Sequence, residues 1–139
     1  MKFIAIVVAA TALGCGSSAA PKTPSYFGTW ELTTVDGKVL PDTFVQIAGT
    51  GDFLLLDSAT LVLPQAGTGT LATHFHISVS TTDLPDVDTV AALDNGTELE
   101  WINRSDTTDP IAVKGDTLVL TTTRFFTPAM VFRFQRASP

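Results

Sequence analysis

From residue 28 to residue 136 the apolar positions recur at a spacing close to two. That is the period of a strand, whose side chains point alternately to opposite faces. The first such segment, about 28–35, puts Gly28, Trp30 and Leu32 on one face and Thr29, Glu31 and Thr33 on the other. Asp36-Gly37 behind it is a hairpin dipeptide. Residues 38–52 read as an irregular crossing with Pro41 and two glycines, and residues 44–47 are expected to pack back against the strands. A second strand covers about 53–63; its alternation slips at Asp57-Ser58, which predicts a bulge. The third, about 70–80, alternates most clearly, with Leu71, Thr73, Phe75, Ile77 and Val79 facing one way and His74, His76, Ser78 and Ser80 the other. A loop carrying Leu84-Pro85 leads to a short fourth strand at about 88–93, and Asp94-Asn95-Gly96 turns it into a fifth at 97–103. Leu99 and Trp101 point inward there, Glu98 and Glu100 outward. Segments near 110–113, 116–123 and 129–136 bring the number of strands to eight.

No stretch has the period of a crossover helix, so strands adjacent in sequence should pair antiparallel. The expected architecture is all-β: an eight-stranded antiparallel up-and-down meander barrel, which also leaves no sheet edge exposed. The second, fourth and sixth connections are short and the others mostly longer. In a meander these groups lie at opposite ends, giving a tight end and a wide one.

The residues before this domain have a different character. Met1-Lys2 is a short basic start, and residues 3–13 form an apolar run too short for a transmembrane helix, which needs about 20 residues. It reads as the core of a signal peptide. The single cysteine, Cys15, follows Ala12-Leu13-Gly14, and residues 16–25 are small, polar and proline-bearing, as in a flexible tether. The chain thus divides into a signal peptide (1–14), a cysteine with its tether (15–25) and a barrel domain (26–139). The leader resembles that of bacterial lipoproteins, with Gly14 and Cys15 fitting the lipobox and Ala12 standing where leucine is usual. The resemblance implies lipidation of Cys15 by acyl chains such as palmitate, and two or more chains hold a protein stably on a membrane. The competing reading is an ordinary signal peptide cut after Ser18-Ala19-Ala20, leaving a soluble secreted protein. Gly16 lacks the acidic identity that retains some lipoproteins at the inner membrane, which leans toward the outer membrane of the cell envelope.

Gly28-Thr29-Trp30, at the start of the first strand, resembles the glycine-x-tryptophan signature of lipocalins. With residues 35–41, 113–118 and the closing Val131-Phe132-Arg133-Phe134, the domain resembles small bacterial lipocalin-like lipoproteins. The resemblance implies a lipocalin-like barrel in which an arginine of the last strand covers the tryptophan at the closed end. Parity with Phe132 and Phe134 assigns that role to Arg136. The C-terminal helix of true lipocalins is absent from this expectation, because residue 139 follows the last strand almost directly.

Few residues carry chemistry. His74 and His76, two apart on one strand, face the same way and form the weak metal candidate; a third ligand is not evident. Asp83, Asp86 and Asp88 cluster near the third loop, where a solvated loop competes with a calcium site. At the wide end, Phe125, Phe126 and Leu84, with Phe75 and Trp101 below them, are the candidate mouth for a small apolar ligand. With no nucleophile elbow and outward histidines, the chain is expected not to be an enzyme, and no cofactor is implied. A net charge of −6 argues against nucleic acid, whose phosphates need a basic face. Three functions follow in order: a membrane-anchored lipoprotein that binds a small hydrophobic ligand in the barrel, a structural or protein-interaction module of the envelope with a filled barrel, and a metal-binding protein using His74 and His76. Closure of the interior by Phe75, Trp101, Leu118, Leu120 and Phe132 would favour the second over the first.

Overall fold

The computed structural model describes residues 25–93, 96–102, 107–125 and 128–138. Ten strands run in chain order: β1 (Gly28–Val35), β2 (Lys38–Val39), β3 (Asp42–Gln46), β4 (Phe53–Leu63), β5 (Gly69–Ile77), β6 (Leu84–Leu93), β7 (Glu98–Trp101), β8 (Thr108–Lys114), β9 (Thr117–Thr122) and β10 (Met130–Arg136). Among the described residues there is no helix. Strands β4 to β10 pair antiparallel, each with the next, and β1 closes the ring. One edge of β1 pairs with β10, and Gly28 to Glu31 pair with β4 on the other. The result is a closed eight-stranded antiparallel meander with β2 and β3 as two additional strands, consistent with a lipocalin-like barrel without a helix.

The barrel is apolar inside. Trp30, Leu56, Leu61, Leu71, Val90, Leu99, Trp101, Leu118, Leu120 and Phe134 are all essentially inaccessible to water. Thr29, Glu31, Thr70, Ala112, Arg133 and Gln135 alternate with inward neighbours on the exterior. That pattern is the reverse of a membrane-spanning barrel, which is apolar outside. Hydrophobic burial, at about 25 cal/mol per Å2 of apolar surface, therefore acts toward the barrel interior.

Three irregularities in register shape the walls. The β1–β10 pairing shifts between Leu32 and Thr34, after which Val35 turns inward. The β4–β5 pairing shifts between Leu56 and Ser58, at the slip in alternation seen in the sequence. The β3–β4 pairing shifts between Thr43 and Val45. Such bulges re-aim the side chains beside them.

Three sequence expectations change, the first being the crossing at 38–52, which carries β2 and β3. The fourth barrel strand begins at Leu84 rather than 88, so Leu84-Pro85 belongs to β6 and not to a loop. The third ends at Ile77, leaving Val79 outside the strand and 76% exposed instead of facing inward.

Candidate functional site

The tight end is built from the start of β1 and the end of β10. Trp30 pairs with Arg136 across the two strands, and the Arg136 guanidinium carbon lies 4.1 Å from the centre of the Trp30 ring. The same guanidinium donates to the carbonyls of Phe27, at 2.7 Å, and Ser25, and sits 3.6 Å from Asp116. Gly28 has φ of 128°, and a Cβ there would come within 2.8 Å of Arg136 Nη1. Glycine is favoured there by its backbone, and a side chain would also push on the arginine that crosses it. Tyr26, which the sequence did not single out, completes the closure. Its carbonyl accepts from Trp30 Nε1 at 2.9 Å, and its ring lies where a side chain at position 96 would stand. These groups close the tight end, and an open surface hollow of about 340 Å3 borders them, lined by Phe27, Gly28, Val62 and Pro64 among others.

The wide end differs in composition across its width. One wall is aromatic. Phe44, carried by β3 at its register shift, lies over Phe75, Phe125 and Phe132 with ring centres 5.2, 5.4 and 6.4 Å away. Phe125 also meets Phe132 edge-on at 5.6 Å. Bringing four rings together, three of them from separate parts of the wall, makes a plug across the mouth, with edge-to-face geometry that suits aromatic quadrupoles.

The other wall is polar. Asp88 and Asp109 are buried on β6 and β8, and Thr122 is buried at the end of β9. Asp109 Oδ2 accepts from Trp101 Nε1 at 2.8 Å and from the Thr122 hydroxyl. Thr122 in turn accepts from the backbone of Arg124 at 2.9 Å. The Arg124 guanidinium donates to both oxygens of Asp88, at 3.0 and 3.2 Å, with Asp86 at 3.9 Å. Its carbon sits 5.1 Å from the Phe125 ring centre and 5.7 Å from Trp101. Burying these charges is tolerable because Asp88 is paired with Arg124 and Asp109 accepts two hydrogen bonds, although Arg124 Nε is buried without a partner among the described residues.

The sequence residues fall as follows. Phe75, Trp101 and Phe125 do meet at the wide end, but Phe75 and Trp101 lie in the packed interior rather than on an open mouth. Leu84 stands on its rim, 40% exposed. Phe126 and Cys15 lie outside the described residues. The aspartate cluster divides: Asp88 is buried against Arg124 rather than solvated, while Asp83 lies outside the barrel beside His74. His74 and His76 are on the exterior face of β5. His74 Nδ1 is 3.0 Å from Asp83 and His76 Nδ1 is 2.7 Å from Asp57. Among the described residues no three His, Cys, Asp or Glu side chains are grouped as a metal site. Sequence reasoning missed Asp109 and Arg124. Phe44 packs back against the strands, as expected for residues 44–47, but its three aromatic partners were not foreseen. Asp109 and Thr122 did carry a signal, as polar residues at inward parity near strand ends.

Comparison of the chain with known protein families, curated proteins and solved structures gives no match. The lipocalin resemblance thus stands on the barrel topology and on Gly28, Trp30 and Arg136.

Proposed function

We propose that this protein is a non-enzymatic, lipid-anchored module of the bacterial cell envelope, with a filled barrel that acts as a scaffold for contact with another protein. The observation that carries the reading is the packing of the interior: Phe75, Trp101, Leu118, Leu120 and Phe132 are all buried against one another and their neighbours. A barrel whose axis is filled by such side chains acts through its surface. The anchor rests on the apolar run at residues 3–13 followed by Gly14-Cys15 and a small, polar tether.

Photo-crosslinking in the producing cell tests the contact. A photoreactive residue at Val87 or Ile102, both exposed toward the wide end, should give one reproducible protein adduct. The absence of any adduct from either position, with the exposed Gln135 on β10, four strands away around the barrel, as control, would sink the interaction reading. Metabolic labelling with palmitate tests the anchor separately. Label should enter the wild-type chain and be lost in Cys15→Ser; an unlabelled wild type would remove the lipoprotein reading.

A second reading is the binding of a small apolar ligand at the wide end. It is favoured by the position of Phe44 on β3, an added strand rather than a barrel stave, so that the plug can part without opening the barrel. Native mass spectrometry of protein from its own cell should then detect a co-purifying hydrophobic molecule, lost in Phe44→Trp. Consistently ligand-free protein would leave the scaffold reading alone.

A further inference from the structure

We propose that His74 and His76 form an exterior binding site for a divalent transition metal that favours imidazole, Cu(II) most strongly, coordinated through both Nε2 atoms. This goes beyond the scaffold reading and does not depend on it.

His74 Nδ1 lies 3.0 and 3.1 Å from the two Asp83 carboxylate oxygens, and His76 Nδ1 lies 2.7 Å from Asp57 Oδ2. An ionised carboxylate can only accept hydrogen bonds, so each Nδ1 must carry the hydrogen. In the neutral ring the lone pair is then at Nε2. A carboxylate on one ring nitrogen with the opposite nitrogen free to ligate is the usual arrangement behind metal-binding histidines; it fixes the tautomer and raises ligand basicity.

Two unrelated parts of the fold supply these carboxylates. Asp57 comes from the β4 bulge, where the register against β5 shifts between Leu56 and Ser58. Asp83 comes from the segment just before β6. Without the bulge, position 57 would keep a regular place in the ladder. The two histidines are two residues apart on one strand, so they share a face at a Cα separation of about 7 Å. Two imidazoles can converge on one ion across that distance. The side chains of His74 and His76 are 45% and 27% exposed, so a hydrated ion can reach them. With two protein nitrogens, water completes the coordination shell. Imidazole suits copper, zinc and nickel, and among these Cu(II) has the highest affinity.

The test titrates the full chain with Cu(II), and separately with Zn(II), by calorimetry, with electron paramagnetic resonance on the copper form. One copper per chain is expected, with the hyperfine pattern of two imidazole nitrogens. His74→Ala and His76→Ala should each reduce that pattern to one nitrogen. Asp57→Asn and Asp83→Asn should weaken affinity by about tenfold or more while leaving the ligand count unchanged. Circular dichroism would verify that each variant stays folded; Asp83, being 57% exposed and outside the strands, is the variant that keeps the test sound should Asp57→Asn unfold the bulge. No copper binding by the wild type overturns the proposal. So does a His74→Ala, His76→Ala double variant that binds as the wild type does, because the metal would then sit elsewhere.

Discussion

Arg136 is where one side chain bears most on the fold. Its guanidinium stacks on Trp30, ties down the carbonyls of residues 25 and 27, and crosses the face of Gly28. A stack of this kind contributes about 0.5–2 kcal/mol, and each hydrogen bond about 1 kcal/mol. Arg136→Ala should therefore lower unfolding free energy by about 2–3 kcal/mol in a urea titration and shift Trp30 emission to the red. Arg136→Lys should recover only a small part, because an ammonium cannot stack and fork at once. Gly28→Ala should lose a similar amount for a different reason: the added Cβ meets Arg136, and φ of 128° strains any other residue. At the wide end, Asp109→Ala leaves the Trp101 indole and the Thr122 hydroxyl without their acceptor. Each unpaired buried donor costs about 1–3 kcal/mol, so thermal unfolding of that variant should begin several degrees lower. Residues such as Trp30 and Arg136 were legible in the sequence, because parity along a regular strand fixes which way a side chain points. Asp88 was not: among aspartates beside a proline, burial depends on the arginine it meets 36 positions later.

At the scale of elements, the regular strands were legible and the irregular segments were not. β1 and β4 occupy the ranges expected from alternation, and the slip at Asp57-Ser58 is a register shift. β6 was underestimated because Pro85, Asp86 and Asp88 have the composition of a loop. Pro85 is accommodated because β6 pairs with β7 only from Val90 to Leu93, so its missing N–H faces no described ladder partner on that side. β3 lies in a segment whose composition is that of an irregular crossing, and its role follows from a bulge that places Phe44 among three other phenylalanines. Phe44→Ala should remove the plug without dissolving the barrel. Stability should fall by about 2–4 kcal/mol, as for other partly buried phenylalanines, and a dye that fluoresces on apolar surfaces should bind where it does not bind the wild type. Unchanged dye binding would mean that the remaining rings close the mouth without it.

At the scale of the molecule, closure is the work of β1. It pairs with β10 along one edge, with β4 along the first half of the other, and with β2 beyond that. Native-state hydrogen exchange should accordingly find the amides of Trp30 to Leu32 among the slowest in the chain, comparable with those of β9. Fast exchange in β1 with slow exchange in β5 and β9 would describe an open sheet. The two ends divide the labour: the tight end is sealed by Trp30, Tyr26 and Arg136, while the wide end combines an aromatic plug with a buried ion pair.

Features that depend on near neighbours are readable in the order of residues alone. Side-chain alternation, the Asp36-Gly37 turn, the order of short and long connections and the inward parity of Trp30 and Arg136 are all set within a few residues. Features that depend on distant residues emerge when the chain closes into the barrel. The pairing of Arg124 with Asp88, the meeting of Phe44 with Phe132, and the carboxylates set behind His74 and His76 join positions whose separation along the chain carries no period to read. Each arises when the closed barrel brings strands and their connections to one end or one face, where packing and charge compensation select the arrangement.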